Sequence, residues 1–244
     1  SDINELDIYT MQYATTPSDF LTAHTTNNWS AFKRNTFMKW MLLPQNAKVL
    51  RYFVLAKEAE ATQNQQKATR MWYAESDEDV ATAKQTLSKL SKTALELGRK
   101  SKNDPFLQSR YYFQAIKMGY YAGFESKDKN GQELLKIFTS KIQPLKDAVV
   151  KGWSYHFCGL MLPENSPEYT TYQLHTFHLS EEKKLAAYDA LTPILKNAAL
   201  KDYKKYDAAL QEAFIALIAF EQSGRQLSAI ELLYSINPNS KYLT

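Results

Sequence analysis

Two stretches of this chain, Phe106–Ile142 and Tyr206–Ile236, carry apolar residues at helical spacing, and each breaks at a glycine, Gly123 and Gly224. A helix, a hinge and a second helix of similar length can bury their apolar stripes only by folding back on one another, so each stretch reads as a hairpin. The rest of the sequence agrees with that reading. With 7 Gly and 8 Pro in 244 residues, and with Ala, Leu, Lys, Gln and Glu abundant, the chain is rich in side chains that lose little rotamer freedom in a helix. An all-α protein is expected.

Helix starts are marked by a small polar cap before a first-turn proline at Thr16-Pro17, Asp104-Pro105, Ser166-Pro167 and Thr192-Pro193. Ser76-Asp77-Glu78-Asp79 reads as a capping box with carboxylates at the positive end of the helix dipole, and Ser180-Glu181-Glu182-Lys183 is a less complete version. Between these marks apolar residues recur at three and four, as in Val80, Ala83, Leu87, Leu90, Ala94 and Leu97. The pattern predicts helices over 17–25, 29–42, 45–63, 66–74, 77–100, 105–122, 131–142, 144–159, 167–178, 181–191, 193–199, 202–222 and 226–236. Residues 1–15 and the Asn27-Asn28 region read as loop. No Gly/Ser-rich or charge-rich linker divides the chain, so a single domain over 1–244 is expected, with an internal break placed near 162–166.

The last hairpin carries a family likeness. Phe220 stands four residues before Gly224, Ala229 five residues after it, and Asn237-Pro238-Asn239 closes the second helix. This order of parts resembles a tetratricopeptide repeat, although Ala213, Ala216 and Leu217 replace the Trp, Leu and small residue usual there and Pro238 comes early. The middle hairpin matches less, with Tyr112, Gly123 and Phe138 in place, a longer turn at Ser126–Asn130, and Gly119 where an aromatic is expected. The resemblance covers about a third of the chain. It implies an antiparallel helix-hairpin array, an α-solenoid, in which Gly224 adopts a left-handed turn, Phe220 fills the gap within its pair and Ala229 permits close approach. It also implies a concave groove lined by the first helix of each pair, with partner-facing positions Arg110, Gln114, Lys117 and Tyr121 in one hairpin and Gln211, Ile218 and Gln222 in the other. An exported, bacterial cell-envelope protein fits the same likeness, and a start at Ser1-Asp2 fits either a cleaved mature protein or a trimmed one. Half-buried helix packing is the alternative reading of those positions.

Residue types that carry chemistry are sparse. His156 and Cys158, with His175 and His178 on one helical face, are of zinc-ligand type, but a His-x-Cys pair points to two faces of a helix, so packed imidazoles and a buried thiol account for them. The acidic pairs Asp77/Asp79 and Glu181/Glu182 sit in first turns, where capping explains them. No cofactor is implied by any motif. The cluster Phe37, Met38, Trp40 and Met41, like Met71-Trp72-Tyr73, reads as helix-packing core rather than as an exposed recognition strip. The net charge of +4 is spread over mixed-sign helices, without the basic blocks that track phosphates, so nucleic acid is not an expected partner. The longest apolar run, Phe214–Phe220, is far shorter than the roughly 20 residues of a membrane span. One cysteine leaves the redox compartment open. The expectation is a non-catalytic helical scaffold that binds a protein or peptide. The competing expectation is a helical glycan-binding protein or glycoside-active enzyme, in which Trp29, Trp40, Trp72 and Trp153 would gather around a cleft.

Overall fold

The computed structural model describes residues 3–72, 77–164 and 166–243, with the side chains of 66–72 and 77 left out. The described residues form twelve α-helices, short 3-10 and π-helical turns, and no strand. The chain divides into two compact units, Ser1–Gly123 and Phe124–Thr244. That division runs through the Phe106–Ile142 stretch, leaving its first helix in one unit and its second in the other. The Met71-Trp72-Tyr73 cluster and Ser76-Asp77 lie outside the described side chains.

The first unit contains α1 (Glu5–Tyr9), α2 (Pro17–Thr25), α3 (Thr36–Met41), α4 (Ala47–Trp72), α5 (Asp77–Lys100) and α6 (Pro105–Tyr121). Thr16 and Asp104 cap α2 and α6, accepting the backbone N–H of Asp19 and Leu107 at 3.1 Å each. The segments read as helices 45–63 and 66–74 run on as one helix, because Gln63–Lys67 offers neither a glycine nor a proline to stop it. The segment 29–42 instead splits into a 3-10 turn at Ser30–Phe32 and the short α3. The loop expected over 1–15 is largely helical. Asn4 caps α1 and Asp7 accepts both the N–H and the hydroxyl of Thr36, at 2.8 and 2.7 Å.

Met11, Phe20, Met38, Met41 and Phe53 are the buried centre beneath α2, α3 and α4, flanked by Trp29, Phe37 and Trp40. The ring of Phe20 meets Phe53 at 5.2 Å and Trp29 at 5.5 Å. The Phe37-to-Met41 cluster is therefore core, as expected. Two tryptophans belong to this packing rather than to a cleft. Along α5, Ser91 and Gly98 let α6 come close: the Ser91 hydroxyl donates to Ala115 O at 2.7 Å, and a Cβ on Gly98 would lie 2.6 Å from the Tyr112 ring. After α6 the backbone turns at Gly123 with φ +86°, a left-handed conformation that favours glycine.

The second unit contains α7 (Lys129–Ile137, prolonged by a π-helical turn, Phe138–Ile142), α8 (Ala148–Leu160), α9 (Pro167–Leu179), α10 (Lys184–Leu195), α11 (Ala208–Glu221) and α12 (Gln226–Ile236). Asp147 and Ser166 cap α8 and α9 through the N–H groups of Val150 and Tyr169. Gly159 lets α8 and α9 come close, since a Cβ there would lie 2.5 Å from the Gln173 amide nitrogen. The expected helix start at Thr192-Pro193 is absent, and Pro193 lies inside α10. Pro193 gives up the N–H that would bond the Asp189 carbonyl, but both residues are exposed so that water can reach that carbonyl, while Ala187, Leu191 and Leu195 keep one buried stripe intact through it. Leu174, Leu191, Leu195, Leu210, Phe214, Leu217 and Ile218 form the core that joins α9, α10 and α11.

In the last hairpin Ala229 is fully buried against Ile215 and Leu233, as expected for close approach of α11 and α12. Two other expectations fail there. Gly224 does not adopt a positive φ and sits in a 3-10 turn, Ser223–Arg225, with open space around it. Phe220 is 74% exposed rather than filling a gap between the helices.

Candidate docking groove

The partner-facing positions expected from sequence fall on α6 of the first unit and on or just after α11 of the second. On α6, Gln114 is buried, with its Nε2 donating to the Tyr52 hydroxyl at 3.4 Å. Arg110 lies over the Phe106 ring at 4.1 Å, and the half-buried Tyr121 stands edge-on to Tyr120 at 5.1 Å, with Lys117 half-buried on the same helix. On α11, Ile218 is fully buried among Leu174, Leu195 and Phe214, so it is a core residue and faces no partner. Gln211 donates to Tyr206 O at 2.8 Å. Gln222 donates to Leu195 O and Ala198 O at 2.5 and 3.0 Å, closing carbonyls at the end of α10. These three side chains hold the fold together and do not converge on one surface.

The zinc-type residues are likewise engaged inside the second unit. His156 Nδ1 pairs with Gln173 Oε1 at 3.0 Å, His175 stacks on Tyr155 at 4.3 Å, and His178 Nδ1 meets the Tyr242 hydroxyl at 3.0 Å. Cys158 is fully buried, and burial pushes its thiol well above the usual range. Among the described residues no group of three or more His, Cys, Asp or Glu side chains is placed to hold a metal ion. Glu181 is tied to Lys184 at 2.7 Å, which holds its carboxyl below the ordinary value. Glu182 accepts from the Ser180 hydroxyl at 3.3 Å.

What the second unit does present is an apolar trough of about 500 Å³ lined by Phe177, Leu185, Tyr188, Ala216, Leu217 and Phe220, with Glu181, Lys184 and Tyr242 at its edge. The buried stripe of α10 passes through Ala187, Leu191 and Leu195, which leaves Leu185 on another face, 71% exposed. Phe220 projects from the end of α11 and meets Tyr188 edge-on at 5.3 Å. The far end is closed by Phe177 and Tyr242, stacked at 5.8 Å, with the Lys184 ammonium 5.6 Å above the Phe177 ring. Each carboxylate at this rim has its own partner: Glu181 has Lys184, and Glu221 accepts from the Tyr188 hydroxyl at 2.5 Å, which raises that phenol above its ordinary pKa. The floor therefore asks for an apolar guest and places no unmet charge beneath it.

Two hollows of about 610 and 450 Å³ adjoin α2 in the first unit and share Thr22 and Thr26. Small polar residues line them, among which Thr16, Thr25 and Thr26 turn their hydroxyls onto Asp19, Leu21 O and Thr22 O. No family model, no curated protein and no solved structure matches the chain. No helix among the described residues is long and apolar enough to cross a membrane.

Sequence reasoning missed this trough because it assigned Phe220 to the interior of a repeat. A usable signal was present: Leu185 falls off the helical stripe that buries Ala187, Leu191 and Leu195, and an apolar residue there has no place in the core of its own unit.

Proposed function

We propose that the protein is a non-catalytic helical scaffold, tetratricopeptide-like in its last hairpin, that binds a protein partner. The trough between α10 and α11 receives the apolar face of an amphipathic helix from that partner. The observation that carries this reading is the pairing of exposure and shape: Leu185 and Phe220 stand largely in water on either side of an aromatic-lined channel whose rim charges are already matched. Single exposed apolar residues are ordinary, whereas several converging on one concavity of this size mark a binding surface. Two packed helices bounding a channel suit a third helix laid between them, with anchors at i, i+3, i+4 or i+7. Leu217 at the floor and Tyr188 on the wall supply the rigid, desolvated contacts that dominate such interfaces.

A selection from displayed helical peptides tests this. Peptides retained by the wild-type chain are expected to carry apolar residues at those spacings and to lose binding by tenfold or more on a chain with Leu185→Asp and Phe220→Asp. Retention of the same peptides by both chains would place binding elsewhere.

A further inference from the structure

We propose that residues 237–243, which follow α12, form a strap across one end of the trough, and that proton uptake by His178 releases the strap and opens that end. The latch stands on its own geometry, while its consequence for a guest rests on the trough being a docking site. Asn237 Nδ2 donates to Glu212 Oε1 at 3.0 Å, which fixes the start of the strap on α11, and Ser240 is buried. Two hydrogen bonds tie the strap to α9, and both end on His178. The Lys241 ammonium donates to His178 O, and the Tyr242 hydroxyl meets His178 Nδ1 at 3.0 Å. Tyr242 is thereby held against Phe177, stacked at 5.8 Å, where it covers apolar surface at the end of the trough.

Burial, with Glu212 and Glu181 adding to it, holds the Tyr242 phenol above its ordinary pKa, so it keeps its proton. The closed strap is then the arrangement in which a neutral His178 accepts through a bare Nδ1. Protonating the ring turns that acceptor into a donor and sets a second positive charge beside Lys241. The groups that face His178 are Lys241 and Tyr242 on the strap, Lys184 on α10, Asp207 and Glu212 just before and on α11, and His175 on α9 itself. Burial first and Lys241 next hold the ring below its ordinary 6.5, and Lys184 adds to this; Glu212 and Asp207 oppose the shift without reversing it. Release returns the ring to its ordinary basicity, so the open strap binds more protons than the closed one. Closure is full above about pH 6.5 and weakens as the pH falls from there. Once Tyr242 leaves, Phe177 extends the floor laid by Leu217, and a guest helix can run past the end that was closed.

Hydrogen exchange of the full chain at pH 7.5 and 5.5, each rate referred to that of an unstructured chain at the same pH, is the test. The amides of Ser240 and Leu243 donate to Asn237 O and Ser240 O in the closed strap. On going to pH 5.5 they are expected to lose at least threefold more protection in the wild-type chain than in His178→Gln, which keeps an acceptor but takes no charge. His178→Gln should match the wild type at pH 7.5, and His178→Arg should be open at both values. No loss in the wild type, an equal loss in His178→Gln, or a closed strap in His178→Arg would each overturn the latch. A selected helical peptide free of His, Asp and Glu is expected to gain at least threefold in affinity at pH 5.5 on the wild-type chain relative to His178→Gln. If the strap opens and that affinity does not respond, the regulation is overturned. If the strap opens while binding ignores Leu185 and Phe220, the trough reading falls and the latch stands. If the strap stays closed while binding still needs both residues, the latch falls and the trough stands.

Discussion

His156 and Gln173 clasp one another between α8 and α9: the glutamine Nε2 donates to His156 O at 3.2 Å while its Oε1 faces His156 Nδ1 at 3.0 Å. Since the amide nitrogen is committed to the carbonyl, Oε1 must accept, and Nδ1 carries the proton of a neutral imidazole. Gly159 makes the clasp possible, because a side chain there would occupy the place of the amide.

Acid should loosen the second unit by forcing a charge onto the buried His156 ring. Burial, aided by the Lys183 charge and opposed by the Gln173 bond, holds His156 below its ordinary value of 6.5, and burial does the same to His175 and His178. A base whose folded pKa is depressed leaves the unfolded chain binding more protons. Stability is then full above about pH 6.5 and falls as pH drops from there toward the folded values. Thermal melts at pH 7.5 and 5.5 should show the wild-type chain losing more of its midpoint than His156→Gln; equal losses would remove His156 from the effect.

Ile218→Ala should cost about 2–5 kcal/mol, the usual penalty for emptying a buried aliphatic site. Denaturant titration measures it. A change below about 0.5 kcal/mol would return Ile218 to the surface role that the sequence suggested.

The two hinge glycines should behave differently. Gly123→Ala places a Cβ on a left-handed residue and should cost about 1–2 kcal/mol. Gly224→Ala meets open space at an ordinary φ and should stay within about 0.5 kcal/mol. Comparable losses for both would contradict the turn geometry.

Gln222→Ala should destabilise by about 1 kcal/mol, since Leu195 O loses its donor and Ala198 O keeps only the longer bond from Arg225 at 3.5 Å. Amide exchange at the end of α10 should accelerate in the variant, and unchanged protection there would show that Gln222 does not hold that end.

The helical character was legible because capping residues and apolar spacing state it locally: Thr16, Asp104 and Ser166 each open a helix where the sequence places one. Thr192-Pro193 misled because a cap followed by proline ordinarily opens a helix, and here the buried stripe through Leu191 and Leu195 carries α10 past an exposed proline despite the hydrogen bond it removes. Residues 5–14 were illegible as helix because Leu6, Tyr9 and Tyr13 point outward and the stabilising bond, Asp7 to Thr36, is between distant residues. The trough was hidden for a related reason. Phe220 and Leu185 lie far apart in sequence, and their exposure follows from how α10 and α11 pack, which no local pattern records.

Calorimetric titration of a selected amphipathic helical peptide into the full chain, at several temperatures, tests the central claim most directly. Burial of the Leu185–Phe220 trough predicts saturable binding at one site per chain with a negative heat-capacity change, lost when Leu185→Asp and Phe220→Asp are added. Binding of equal strength and equal heat capacity with those substitutions present would contradict it.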